Sequence, residues 1–227
     1  MIKPIITFIL VSLFPLNALA RDKNHEDPTK IATHLGLSYT DSVKFSGSVR
    51  LDDLRRLDAS VNADGEEWRI GGSWLMRLGI MDFSFTQTEF DPGKRDSYNI
   101  RTFIPLRYFG IEPFSIQLFP MAGYSYNTGE TDHFDDSNLE RDYMLVPASS
   151  NGGYLGILGL QQIRKRWSVI GFGGASKGSD NYTGFWIGVG LSHQFSRSKF
   201  INIYGVMAED DFGDNSRLGA TFTYEFN

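Results

Sequence analysis

Residues 218–226 read Leu-Gly-Ala-Thr-Phe-Thr-Tyr-Glu-Phe and stop one position short of the C-terminal Asn227. Leu218, Ala220, Phe222, Tyr224 and Phe226 fall on one face of an extended chain, and Gly219, Thr221, Thr223 and Glu225 on the other. Such period-2 alternation describes a β-strand between two unlike surroundings. A last strand with aromatic residues on its apolar face suits the closing strand of a transmembrane barrel.

Working backwards from it, the same alternation predicts strands over 216–226, 200–208, 183–195, 166–176, 152–162, 113–127, 97–108, 81–90, 67–78, 56–62, 43–51 and 32–40. Trp68, Ile70, Trp74 and Met76 alternate with Arg69, Gly71, Ser73 and Arg77, and Phe185, Ile187, Val189 and Leu191 alternate with Trp186, Gly188, Gly190 and Ser192. No amphipathic helix competes with this pattern. The predicted fold is all-β, an up-and-down antiparallel transmembrane β-barrel of about twelve strands, with ten as the alternative. A barrel with both termini on one side needs an even number. In a secreted soluble β-sandwich or cup the same alternation would put the apolar face inside.

Loop lengths favour the membrane barrel. With Phe226 at the periplasmic end, the connections 196–199, 164–166, 110–113 and 79–80 are periplasmic and short. The set 209–215, 177–183, 126–151, 91–96 and 63–67 is then external and holds the longest loop, the asymmetry expected of outer-membrane barrels.

The N-terminus carries a matching address. Met1-Ile-Lys3 is a short basic start, 5–16 is a mostly apolar run, and Asn17-Ala-Leu-Ala20 offers a small-x-small cleavage pattern. That run is too short to span a bilayer as a helix, which takes about 20 residues. Residues 1–20 therefore read as a cleaved signal peptide, 21–31 as a loose periplasmic tail, and 32–227 as the barrel. The 227 residues include no Cys, which rules out a lipidated Cys or a disulfide framework. A net charge of −5 argues against a nucleic-acid partner.

From the signal ending Ala18-Leu-Ala20, the alternating strands and the Phe222-x-Tyr224-x-Phe226 close, the chain resembles Gram-negative outer-membrane β-barrel proteins over nearly its whole mature length. Asn227 departs from that class, in which the aromatic is usually the final residue. The resemblance implies insertion by the barrel-assembly machinery, with Phe222, Tyr224 and Phe226 as the assembly signal. It also implies a setting among outer-membrane lipids and lipopolysaccharide. A monomer is expected.

Candidate functional residues fall into three groups. Lys44, Arg50, Arg69, Arg77, Arg101 and Arg107 are expected on a basic lumen wall, with Asp58, Asp82 and Glu225 as acidic company. Low-dielectric walls focus such charges toward anions. Phe103, Phe119, Met121, Leu155, Ile157, Phe172, Trp186 and Tyr204 also read as inward, so the lumen is expected to be substantially filled. Asp132, Asp135 and Asp136 in the long external loop are weak candidates for a divalent cation, lacking the regular spacing of a Ca²⁺ loop. The stretch 143–147 of that loop reads as a lid over the mouth. No catalytic residue or cofactor is predicted. A lipid hydrolase would need a Ser–His pair, and His133 is the sole His near the outer leaflet. Trp68, Trp74 and Trp167 suit the interfacial belts. The glycines around 171–188 suit aromatic side chains packing on bare backbone. The function expected is a structural barrel or a narrow passive-diffusion pore; a lipid-modifying hydrolase and a soluble binding barrel are the alternatives.

Overall fold

A computed structural model describes residues 23–90, 93–129, 137–140, 144–147, 151–210 and 213–226. Twelve antiparallel strands close on themselves: β1 (Thr33–Tyr39), β2 (Val43–Arg50), β3 (Arg55–Asn62), β4 (Glu67–Leu75), β5 (Ile80–Phe90), β6 (Gly93–Phe103), β7 (Gln117–Gly129), β10 (Gly152–Arg164), β11 (Trp167–Gly178), β12 (Thr183–Ser196), β13 (Lys199–Asp210) and β14 (Gly213–Phe226). Sequential strands pair all the way round, and β1 pairs with β14 through Thr33↔Phe226 to Tyr39↔Ala220. The barrel sheet has no open edge, which a bilayer demands because lipid cannot satisfy an unpaired strand. The terminal strand therefore closes the barrel, and the count is twelve.

Between β7 and β10, β8 (Ser137–Glu140) and β9 (Met144–Pro147) form a separate two-stranded hairpin, and β9 lies close to β11. This hairpin belongs to the end of the barrel far from the termini. Residues 1–20, expected as a signal peptide, and the cation candidates Asp132, Asp135 and Asp136 lie outside the described residues, as does His133.

The alternation sorts as the sequence implies. Leu37, Phe45, Leu57, Ile70, Phe83, Ile100, Ile187, Ile203, Leu218 and Phe222 are all exposed on the outer surface, while Trp186, Tyr204, Phe119 and Ile170 are buried inside. Such an inversion is favourable only where the solvent outside is apolar. Aromatic rows mark two levels of the outer face. Trp68, Phe85, Tyr98 and Tyr126 step across four strands toward the far end, with ring spacings of 5.2, 5.0 and 6.3 Å. At the other end Trp167, His193 and Phe195 cluster at 4.2 and 4.8 Å, so His193 belongs to the girdle. Phe222, Tyr224 and Phe226 share this outer face, and the rings of the last two are 4.9 Å apart.

Three expectations need correction. Leu155 and Ile157 point outward, 67% and 44% exposed; Tyr154, Gly156, Leu158 and Leu160 face the lumen instead. Parity is ambiguous in so Gly-rich a strand. It is decided by fit, because Tyr154 lies over Gly123 of β7, where any Cβ would collide with its ring. Next, 97–108 and 113–127 do not run as continuous strands. Pro105 precedes a 3-10 turn over Leu106–Phe109 that Gly110 ends at φ 74, and Pro113 opens another. Several strands also extend beyond the lengths expected, so that only two residues separate β5 from β6 and β13 from β14. The asymmetry between the two ends then rests on the single connection 130–151.

Candidate functional site: a half-packed lumen crossed by the N-terminal segment

The interior is divided by composition. Phe119 and Met121 on β7, Tyr154, Leu158 and Leu160 on β10, Ile170 and Phe172 on β11, Trp186 on β12, and Tyr204 and Val206 on β13 form one buried apolar cluster. Large rings fit inside a twelve-stranded wall because the neighbouring strand offers glycine. Trp186 lies over Gly174, Phe172 over Gly188 and Tyr204 over Gly219, each where a Cβ would clash with the ring. Tyr204 reaches on to share a 2.9 Å hydrogen bond with Thr40 Oγ1.

The opposite wall, β1 to β6 with β14, is mainly polar; Leu75 on β4, Ile80 on β5 and Phe103 on β6 carry the apolar cluster onto it at the termini end. Lys44 donates to Glu67 at 2.8 Å, Asp58 lies 4.0 Å from both Arg56 and Arg69, and Arg101 donates to Asp82 at 3.1 Å. The last pair is almost wholly buried, so its charges must be held by each other and by neighbouring dipoles. A cavity of about 260 Å³ lies along this wall, lined among others by Lys30, Lys44, Arg56, Asp58, Glu67, Arg69 and Glu225.

Segment 23–31, read from sequence as a loose tail, crosses the barrel mouth on the side of the termini. Its polar side chains meet inward-facing groups at the ends of the strands. Asn24 donates to Ser168 Oγ at 2.8 Å, and His25 Nε2 shares a 2.6 Å hydrogen bond with Ser192. Asn202 donates to Glu26 at 3.0 Å, Arg107 to Asp27 at 3.0 Å, and Lys30 to Glu225 at 2.8 Å. Arg56 donates to the Lys30 carbonyl at 2.9 Å. Asp27 and Thr29 are buried and bonded to each other. The His25 ring stacks on Phe200 at 4.0 Å. Burial, with a smaller contribution from Lys30, lowers the His25 pKa to about 4. Burial also lowers that of Lys23, against the attraction of Asp27.

The expected lumen residues thus part company. Lys44, Arg69, Arg101, Asp58, Asp82 and Glu225 face the interior. Arg107 sits in the 3-10 turn at the mouth and holds Asp27. Arg50 and Arg77 lie at exposed turns outside the lumen, because β2 ends at Arg50 and β4 at Leu75. Arg50 pairs there with Asp53. With Glu26, Asp27 and Glu67 inside, the interior is mixed in charge rather than basic.

Two Ser–His contacts that sequence reasoning missed lie in the lumen: Ser192–His25, and Ser48–His34 at 2.7 Å. Neither has the polarity of a catalytic dyad. The Ser48 hydroxyl donates to the Ala32 carbonyl at 2.7 Å and that of Ser192 to the Ile201 carbonyl at 3.3 Å. Both serines sit in strands paired on both sides, where strand pairing takes up main-chain N–H groups an oxyanion hole would need.

This geometry has counterparts among solved structures. A KdgM porin in complex with disordered oligogalacturonate superposes with a TM-score of 0.52 at 11% identity, covering 87% of this chain and 100% of that one. The translocator domain of the autotransporter NalP from Neisseria meningitidis gives 0.54 at 10% identity, with 86% of each chain covered. The chain has an outer-membrane β-barrel fold. No protein-family model and no curated protein sequence matches the barrel.

Proposed function

We propose that this barrel resides in the outer membrane and admits small polar solutes along a narrow water-filled path beside β1–β6, with segment 23–31 restricting the entrance. The observation that carries the reading is the segregation of the interior. Rings and aliphatic side chains fill the β7–β13 half and reach the termini end of β4–β6 through Leu75, Ile80 and Phe103, whereas paired charges and hydroxyls line most of β1–β6. A purely structural plug would be served by apolar packing throughout, since replacing buried ion pairs by apolar groups is often neutral or stabilising. Asn62 Oδ1, Arg95 Nε and Asn99 Nδ2 are buried without a hydrogen-bond partner among the described residues. Buried polar atoms of this kind are ordinarily satisfied by water, and they continue the polar wall along β3 and β6.

Mixed charge favours zwitterionic and neutral polar solutes over a strong preference for anions. In this reading residues 1–20 are removed on export and the termini face the periplasm. The barrel-assembly machinery reads Phe222, Tyr224 and Phe226, and the monomer sits among phospholipid and lipopolysaccharide.

Planar-bilayer recording tests the function. The mature chain should give small, infrequent conductance steps with weak ion selectivity, and a chain lacking 21–31 should give larger and longer ones. Silence from both chains would leave only a structural barrel.

A further inference from the structure

We infer that the β10–β11 and β12–β13 turns form a docking surface for the headgroups of anionic glycerophospholipids. The inference rests on the membrane reading above.

Arg164, Lys165 and Arg166 surround the first turn, and Arg197 and Lys199 the second; all five side chains are exposed. No carboxylate occurs in 160–170 or 193–201. The two turns are neighbours, since Gln194 donates its backbone N–H to the Arg166 carbonyl at 2.9 Å, and Ser196 pairs with Lys199. The β2–β3 turn at the same end of the barrel is built differently. There Arg50 pairs with Asp53, and Arg55 donates to Asp52 at 2.7 Å, so each cation is answered within the turn.

What borders these cations points to their partner. On the outer face the Trp167, His193 and Phe195 cluster adjoins them directly. Beside β10, Phe114 is 90% exposed at φ 53, a left-handed conformation unusual for a bulky residue, and its carbonyl accepts a 3.2 Å hydrogen bond from Gln161. An aromatic held outward in that conformation beside β10, the strand that ends in Arg164, matches the lipid boundary, where rings enter the acyl region and cations meet phosphate. A soluble polyanion would use the cations and leave the rings in water.

The experiment refolds the mature chain into mixed micelles of phosphatidylcholine and phosphatidylglycerol and measures the lipid retained by native mass spectrometry. Wild type should retain phosphatidylglycerol preferentially, 0.5 M salt should weaken that preference, and removing the cations should lower it about tenfold. That removal is the combined R164Q, K165Q, R166Q, R197Q and K199Q variant. The triple and double variants of the separate turns should each lose part of the preference, which keeps the test open if the combined variant misfolds. R50Q with R55Q should keep it. An unchanged lipid ratio in the combined variant overturns the inference, as does equal loss in the R50Q/R55Q control. Binding of soluble peptidoglycan fragments through these residues without any phosphatidylglycerol preference overturns it too. Bilayer insertion and heat-modifiable gel migration are read on the same samples. Insertion without lipid preference sinks this inference alone, whereas failure to insert sinks the membrane reading and the inference with it.

Discussion

Acidification should release the N-terminal segment from the mouth. His25 is held neutral between Ser192 and Phe200, with a pKa lowered to about 4 from its ordinary 6.5. The undocked segment therefore binds a proton more readily than the docked one. Docking is at full strength above pH 6.5, weakens as the pH falls from there, and reaches its minimum near pH 4. The interval is worth about 3 kcal/mol, a rise of about 300-fold in the undocked population. Two charged neighbours modify this: Lys30 opposes a second positive charge, while Glu26 lies 3.5 Å from Nε2 and would welcome it. Burial outweighs Glu26, whose carboxylate already accepts from Asn202. Hydrogen exchange of the amides of 23–31, compared at each pH between wild type and His25→Gln, cancels the intrinsic pH dependence of exchange. Wild type should lose protection relative to the variant between pH 6.5 and 4. Parallel profiles over that interval would refute the reasoning.

Two predictions concern the interior. Gly219→Val places a branched side chain where the Tyr204 ring lies and should cost about 1–3 kcal/mol; urea unfolding in lipid vesicles measures it, and an unchanged midpoint would show that Tyr204 can move aside. Asp82→Asn should cost about 3–5 kcal/mol by leaving Arg101 buried without its counter-charge. The double replacement Asp82→Leu with Arg101→Met should recover most of that loss; failure to recover would mean the pair serves as more than mutual compensation.

The barrel was legible because period 2 survives in nearly every strand, and a closed sheet leaves few other ways to satisfy it. Parity failed only in β10, where Gly152, Gly153, Gly156 and Gly159 thin out the apolar pattern and the choice falls to Tyr154 fitting over Gly123. Arg50, the last residue of β2, and Arg77, two residues beyond the end of β4, fall outside the lumen because alternation carries on past a strand's end until the turn is known. The docked segment carried no periodicity to find. Its signal was complementarity: Asn24, His25, Glu26, Asp27 and Lys30 answer Ser168, Ser192, Asn202, Arg107 and Glu225, polar groups at or near strand ends that would otherwise ring an open mouth. Such matching is visible only after folding brings distant residues together.

The unequal strands have a consequence for access. β1 has 7 residues and β14 has 14, yet they pair flush at the termini end through Thr33↔Phe226. At about 3.4 Å per residue, β14 runs some 24 Å farther than its neighbour at the opposite end. The rim is therefore slanted, a high parapet over the aromatic half and a low sill over the β1–β3 side. A solute arriving from that end enters most directly over the sill, which stands above the β1–β3 part of the polar wall. The barrel is a spout rather than a well.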